Sequence, residues 1–233
     1  RVREEGVLVL KRFSGGGTVV LDHSSLWTTF IGRNHHFPHV PSYPRDIMKW
    51  TADVIFGPAF QQMNQSLLSN KPQKRTLMVP GKSCGVETGT GKAYTTKNIT
   101  TATTTSPPQL PKFELVENDY VLGGRKMGGN AQSIVKNGWL HHTSFLWDYD
   151  DQHMQYLTLP PKRPEYRGNR SHDQFLVKLR ELYSPLGDKH AFFQHLRASS
   201  EQSFQIQPVS LKDAMQIVNT ELGGFQNWFE TKC

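Results

Sequence analysis

Phe113-Glu114-Leu115-Val116-Glu117-Asn118-Asp119-Tyr120-Val121-Leu122-Gly123-Gly124-Arg125-Lys126-Met127-Gly128-Gly129-Asn130-Ala131-Gln132 holds most of what the sequence says about its fold. Two short runs rich in aromatic and β-branched residues, Phe113–Val116 and Asp119–Leu122, read as strands, and a glycine-rich segment follows them. Trp139 to Trp147 reads as a further strand. Upstream, Val7–Leu10 reads as a buried strand ending at Gly15-Gly16-Gly17. Thr18–Leu21 and Leu26–Ile31 read as a hairpin turning at Asp22-His23-Ser24-Ser25. Helices are expected from Ser42-Tyr43-Pro44 to about Gly57-Pro58, and from Ser171 through Phe175, Leu176, Leu179 and Leu182 to Ser184-Pro185. A last helix opens on the capping box Ser210-Leu211-Lys212-Asp213. Its stripe is Leu211, Ala214, Met215, Val218 and Leu222, and Gly223 can end it. Hairpins and helices in irregular order predict an α+β fold, a mixed or antiparallel sheet with flanking helices, rather than a doubly wound one.

The 233 residues can bury one sizeable core, and 36% hydrophobic with 20% charged residues excludes a disordered chain. No apolar run approaches the length a bilayer crossing needs, so no membrane partner is expected. Cys84 and Cys233 make neither a disulfide scaffold nor a zinc site and suit a reducing compartment. The surplus of 27 Lys and Arg over 20 Asp and Glu is diffuse, which allows an anionic partner without choosing one. Residues 81–112 differ in kind. Nine Thr lie between Thr88 and Thr105 among Gly and Pro, so this stretch reads as a flexible insert within a single domain. Its Asn98-Ile99-Thr100 sequon is discounted in a low-Cys chain.

Two segments carry chemistry. In Lys11-Arg12-Phe13-Ser14-Gly15-Gly16-Gly17-Thr18 the glycines let backbone N–H groups approach a phosphate or carboxylate, with Arg12 adding a bidentate charge. It is neither a P-loop, lacking Gly-Lys-Ser/Thr, nor a dinucleotide fingerprint, since a hairpin rather than a helix is expected next. In Arg125-Lys126-Met127-Gly128-Gly129-Asn130-Ala131 one Lys among small residues can bring its ammonium against developing negative charge, and Asp119 could hold Mg²⁺ beside nucleotide phosphates. Either segment alone could be a plain turn.

Together, Lys11-Arg12-Phe13-Ser14-Gly15-Gly16-Gly17-Thr18-Val19, Asn118-Asp119, Arg125 to Ala131 and Leu140-His141-His142-Thr143 resemble the lipoate-protein ligase A branch of the biotin/lipoate ligase family. The resemblance runs from about Val7 to Tyr149. It implies a catalytic core like those of class II aminoacyl-tRNA synthetases and biotin ligases. It also implies ATP-dependent activation of lipoate to lipoyl-adenylate, then transfer to an acceptor lysine. Lys126 would be the catalytic residue. Arg12, Ser14, Gly15, Gly16, Gly17, Thr18, Val19, Val20, Asn118, Asp119, Gly129, Asn130, Ala131 and His142 would bind ATP or the adenylate, Asp119 taking the Mg²⁺. The implied partners are lipoate or octanoate and the lipoyl domains of 2-oxoacid dehydrogenase complexes or the glycine cleavage H protein. A monomer is expected, in the mitochondrion ahead of the cytoplasm.

The sequence departs from the family pattern at Lys11 for its first Arg, at Leu21-Asp22 for its His-Asp and at Ser24-Ser25 for its Gly-Asn. Part of the region that the family carries before the Ser-Gly-Gly-Gly motif is expected to lie outside this chain. The rivals are a lipoyl- or octanoyltransferase without ATP activation, for which Cys84 is a candidate nucleophile, and a non-catalytic basic module for nucleic acid. No RNP-type, zinc-finger or biotin-ligase signature supports a nucleic-acid or biotin reading. His35-His36 and His39 read as a surface loop, and Lys162 to Arg167 could dock an acidic acceptor. His141 and His142 alternate across a strand, so one at most faces the site.

Overall fold

The structure, a computed structural model, describes residues 1–69, 110–158 and 163–221. Cys84, Cys233, the sequon, Lys162, Leu222, Gly223 and the insert up to residue 109 lie outside the described residues.

The fold is mixed α+β, with two antiparallel sheets. The larger has four strands in the order β1 (Gly15–Gly16), β6 (Gly128–Val135), β7 (Gly138–Leu146) and β2 (Ser25–Arg33). The smaller joins β3 (Phe113–Val116), β4 (Asp119–Leu122) and β5 (Arg125–Lys126). Gly123 and Gly124, at φ 55° and 75°, make the two-residue turn that hands β4 to β5, a conformation L side chains adopt poorly. Lys126 therefore sits at a hairpin end beside Asp119's strand.

Helix α1 (Pro44–Thr51) buries Ile47, Met48 and Thr51, then widens into a π-turn over Ala52–Phe56 and continues as α2 (Gly57–Ser69). The sequence predicts a stop at Gly57-Pro58, and the helix runs through it. The Gly57 N–H reaches back five residues to the Ala52 carbonyl, and this widened turn lets a proline follow without ending the helix. It also aims Phe56 between the sheets. The Phe56 ring centroid lies 5.9 Å from that of Phe30 and 5.1 Å from Phe145 on one side, and 5.2 Å from Tyr120 on the other.

His141 is the polar counterpart of that apolar pin. The Gln132 amide nitrogen donates to the Pro44 carbonyl (2.9 Å) and to His141 Nδ1 (3.1 Å). That leaves Nε2–H to donate to the Tyr120 oxygen (3.1 Å), whose own proton goes to the Met48 carbonyl (3.0 Å). Both sheets and α1 meet on one neutral imidazole. Burial, with repulsion from His142, pushes its pKa down to about 4. A lowered histidine pKa gives stability that is fully present above the unfolded value and lost as pH falls through the 6.5 to 4 window. Wild type is expected to lose about 3 kcal/mol through this group over that window. Urea unfolding of wild type and His141→Gln at pH 7 and pH 4.5 measures it, and equal acid sensitivity in both would refute the assignment.

Several sequence expectations fail here. Val7–Leu10 forms no strand, and Leu8 and Leu10 are each 80% exposed, because no strand among the described residues offers its backbone a ladder. Thr18–Leu21 is also not a strand. β2 pairs with β7 instead of forming a hairpin with it, Thr29 lying opposite His142. The helix expected from Ser171 is broken into α4 (His172–Phe175) and α5 (Leu179–Tyr183). At the break Leu176 turns extended and bridges Lys126, and Val177 N–H bonds the Lys126 carbonyl (3.0 Å). α3 (Asp151–Met154), capped by Asp150, and α6 (Lys189–Glu201), capped by Asp188, were not foreseen. In α7 (Leu211–Glu221) Ser210 caps the Asp213 N–H as expected, but the Asp213 carboxylate takes the Ser210 hydroxyl rather than its backbone N–H, and Leu211, Met215 and Ile217 face solvent. No helix among the described residues is long and apolar enough to cross a membrane.

Candidate functional site

Residues 129–131 of β6 and residues 142–144 of β7 face each other in register, Gly129 opposite Ser144 and Ala131 opposite His142. The two-residue β1 caps them, with Gly15 opposite Gln132 and Gly16 opposite Ala131. Arg12, Val19, Trp27, Gly129, Asn130, Ala131, His142 and Ser144 close a cavity of ≈ 20 Å³, about the space of one water. Gly16, at φ 143°, lies close against β6. A Cβ there would fall 2.6 Å from the Asn130 carbonyl oxygen and 2.7 Å from the Arg12 guanidinium.

Arg12 folds back so that Nη2 donates to the Gly17 carbonyl (2.6 Å), while its Nε is buried with no hydrogen-bond partner. Among the described residues no carboxylate pairs with it. The buried Ser14 hydroxyl is likewise without a partner. An uncompensated guanidinium beside unspent donors in a glycine-lined wall is chemistry suited to an anion. His142 shares a hydrogen bond with Thr29 (2.8 Å) and lies 5.7 Å from the Trp27 ring. Partial burial and the Arg12 charge both pull its pKa down, so the imidazole is neutral at pH 7.

Lys126 belongs to the other sheet. Its ammonium pairs with Asp119 Oδ1 at 2.6 Å, and the pair is sheltered, with 25% of the Lys126 side chain and 8% of Asp119's exposed. The Tyr166 hydroxyl donates to Asp119 Oδ2 (2.9 Å). The sheets are tied at this place. Asn130 donates to the Asn118 carbonyl (3.3 Å) and accepts from the Thr143 hydroxyl (3.0 Å). Each oxygen of Asp119 thus already accepts from a protein donor. No cluster of three metal-ligating side chains occurs among the described residues, and no step below is routed through a metal.

The structure thus gathers Arg12, Val19, Gly129, Asn130, Ala131 and His142 on one cavity and ties Gly16, Gly17 and Asn118 to its wall. Asp119 and Lys126 stand beside it as a separate pair. Ser14 and Gly15 flank it, Thr18 is exposed, and Val20 packs instead towards Leu146, Tyr149 and Phe175. Sequence reasoning missed Trp27, Ser144 and Tyr166. The period of two along β7 carries the signal for Ser144, two residues after His142. Nothing local marks Tyr166, which is 47 residues from Asp119. His35, His36 and His39 form no metal cluster.

Residues 1–201 match the family model described as the lipoyl protein ligase A/B catalytic domain. A protein of Plasmodium falciparum (isolate 3D7), named inactive lipoate–protein ligase 2, is 27% identical over 190 residues, covering 77% of this chain. The chain spans 42% of that relative's length. The match over residues 1–201 takes in the Arg12 cavity, the Lys126–Asp119 pair and the Tyr166 contact together, and by it the chain belongs to the lipoyl protein ligase A/B catalytic domain family.

Proposed function

We propose that this chain carries the adenylating centre of a lipoate–protein ligase, built on a core like that of class II aminoacyl-tRNA synthetases. The observation that carries the reading is Arg12, a cation with no carboxylate partner among the described residues, set in a glycine-lined cavity beside the Lys126 strand.

In the first step the lipoate carboxylate attacks the α-phosphorus of ATP and pyrophosphate leaves. In the second an acceptor lysine amine attacks the acyl carbonyl and AMP leaves. Negative charge grows on the phosphoryl oxygens in the first and on the acyl oxygen in the second. Lys126, released from Asp119, is the mobile cation for both, and Arg12 holds the α-phosphate. The neutral His142 and the Asn130 side chain give the polar rim. The acceptor is a lipoyl domain or H protein, and the mitochondrion is the proposed compartment.

Lipoate-dependent exchange of labelled pyrophosphate into ATP tests the first step. Lack of exchange, with transfer from preformed lipoyl-adenylate retained, would replace this reading by the transferase one. Loss of both, with salt-sensitive oligonucleotide binding, would replace it by the binding module. Gly16→Ala is a sharper probe. The added methyl has no room against Asn130 and Arg12, so lipoyl-adenylate affinity is expected to fall about 10- to 100-fold. Tm should stay within about 2 °C, since a two-residue strand contributes little to the core. Calorimetric titration and a melting curve on the same sample read both.

A further inference from the structure

The segment from Glu165 to Arg170 lies along β4 and is held at both ends of that strand. At one end the Tyr166 N–H donates to the Glu117 carboxylate (3.2 Å), in a turn where Glu117 itself adopts φ 51°. At the other, Arg170 donates to the Gly124 carbonyl (3.0 Å). Arg167 and Arg170 each donate to the other's carbonyl, at 3.2 Å and 3.1 Å, which stiffens the segment. The Arg167 guanidinium stacks over Phe175 at 4.5 Å, and the Tyr166 ring lies 5.2 Å from the same ring. From its Glu117-held end the Tyr166 side chain reaches Asp119 Oδ2, while Asp119 Oδ1 meets Lys126. Burial and the Asp119 charge raise the phenol's pKa, so it remains a donor.

We propose that Tyr166 is a positioning residue: its hydroxyl fixes the rotation of the Asp119 carboxylate, and that carboxylate sets where the Lys126 ammonium points. An aspartate carboxylate is otherwise free over a broad range of its last torsion. With Oδ2 claimed by Tyr166, Oδ1 presents a single direction to Lys126, whose backbone is independently pinned by Val177. A Lys126 so held starts the reaction already aimed. When an anion takes over the ammonium, Asp119 keeps the Tyr166 hydrogen bond, so its carboxylate stays oriented for the ammonium's return.

Tyr166→Phe removes the hydroxyl and keeps the ring on Phe175. The first readout needs no enzymatic activity: acylation of Lys126 by a pulse of acetic anhydride, measured by peptide mass spectrometry relative to Lys112, which is 81% exposed. Lys126 should label several-fold faster in Tyr166→Phe than in wild type. In an Asp119→Asn background the same change should add nothing, because Tyr166 acts through that carboxylate. Unchanged or slower labelling in Tyr166→Phe, or an equal increase in both backgrounds, overturns the proposal. The second readout rests on the ligase reading: kcat for pyrophosphate exchange should fall about 10-fold while the KM for ATP stays within about two-fold. A rise in KM alone overturns the positioning role. If labelling responds as expected but wild type shows no exchange, the ligase reading falls and the role of Tyr166 stands.

Discussion

Lys126→Ala is expected to lower lipoate-dependent pyrophosphate exchange by about 10²–10³-fold, because the group that meets the growing phosphoryl charge is gone. The substitution also leaves the Asp119 carboxylate, 8% exposed, with Tyr166 as its only hydrogen-bond donor among the described side chains. A cost of about 1–3 kcal/mol in urea unfolding follows from that uncompensated charge, held down by the partial exposure of the pair. Lys126→Arg separates the two effects. The charge returns and with it most of the stability, whereas the planar fork cannot occupy the place of an ammonium, so exchange stays low. If Lys126→Ala exchanges pyrophosphate at more than about a tenth of the wild-type rate, Lys126 is not the charge-stabilising group.

Phe56→Ala is expected to cost about 3–5 kcal/mol, the range for emptying a large aromatic site in a core that cannot collapse. Phe56 is fully buried and meets edge-on rings from both sheets, those of Phe30 and Phe145 on one and Tyr120 on the other. Because the Lys126–Asp119 pair belongs to the small sheet and the glycine wall to the large one, the loss reaches the site. Exchange activity in the surviving folded fraction should fall as well, which Phe60→Ala, in the same cluster but packed on Phe113, Tyr183 and Phe192, should produce less strongly. Urea midpoints together with exchange rates well below each transition measure the two effects. Equal activity losses in the two variants would show that the link between the sheets does not run through Phe56.

The site was legible where chemistry is written in residue type and local order. Arg12 with the glycines after it, Asn118-Asp119, and Lys126 with Gly129 to Ala131 could be named because three motifs in order resemble those of a known family, where any one alone could be a plain turn. His142 rather than His141 came from the family resemblance, and the structure agrees, burying His141 in the core and putting His142 on the cavity. The fold was less legible where tertiary partners decide. Val7–Leu10 has strand composition but no strand beside it among the described residues. Pro58 signals a stop, which a π-turn cancels. Leu176 lies in a helical pattern but is taken out of it by a bridge to Lys126. Helix α6 was overlooked although Asp188, with Phe192 and Leu196 four apart, spelled it out. Tyr166 had no such spelling, since its importance lies wholly in a contact made across the fold.

The two-residue strand β1 has a kinetic consequence. The cavity beside β1 holds about one water, ≈ 20 Å³, and β1 is bound to β6 through Gly15 and Gly16 alone, so a larger ligand on the proposed site would press on that edge first. That edge is the cheapest part of the site to open, a local event far below the cost of global unfolding. Association should therefore level off with rising ligand concentration, at a ceiling set by how often the glycine edge lifts. The backbone amides of Gly15 and Gly16 should exchange with deuterium early in the free protein and late once the edge is closed over a ligand.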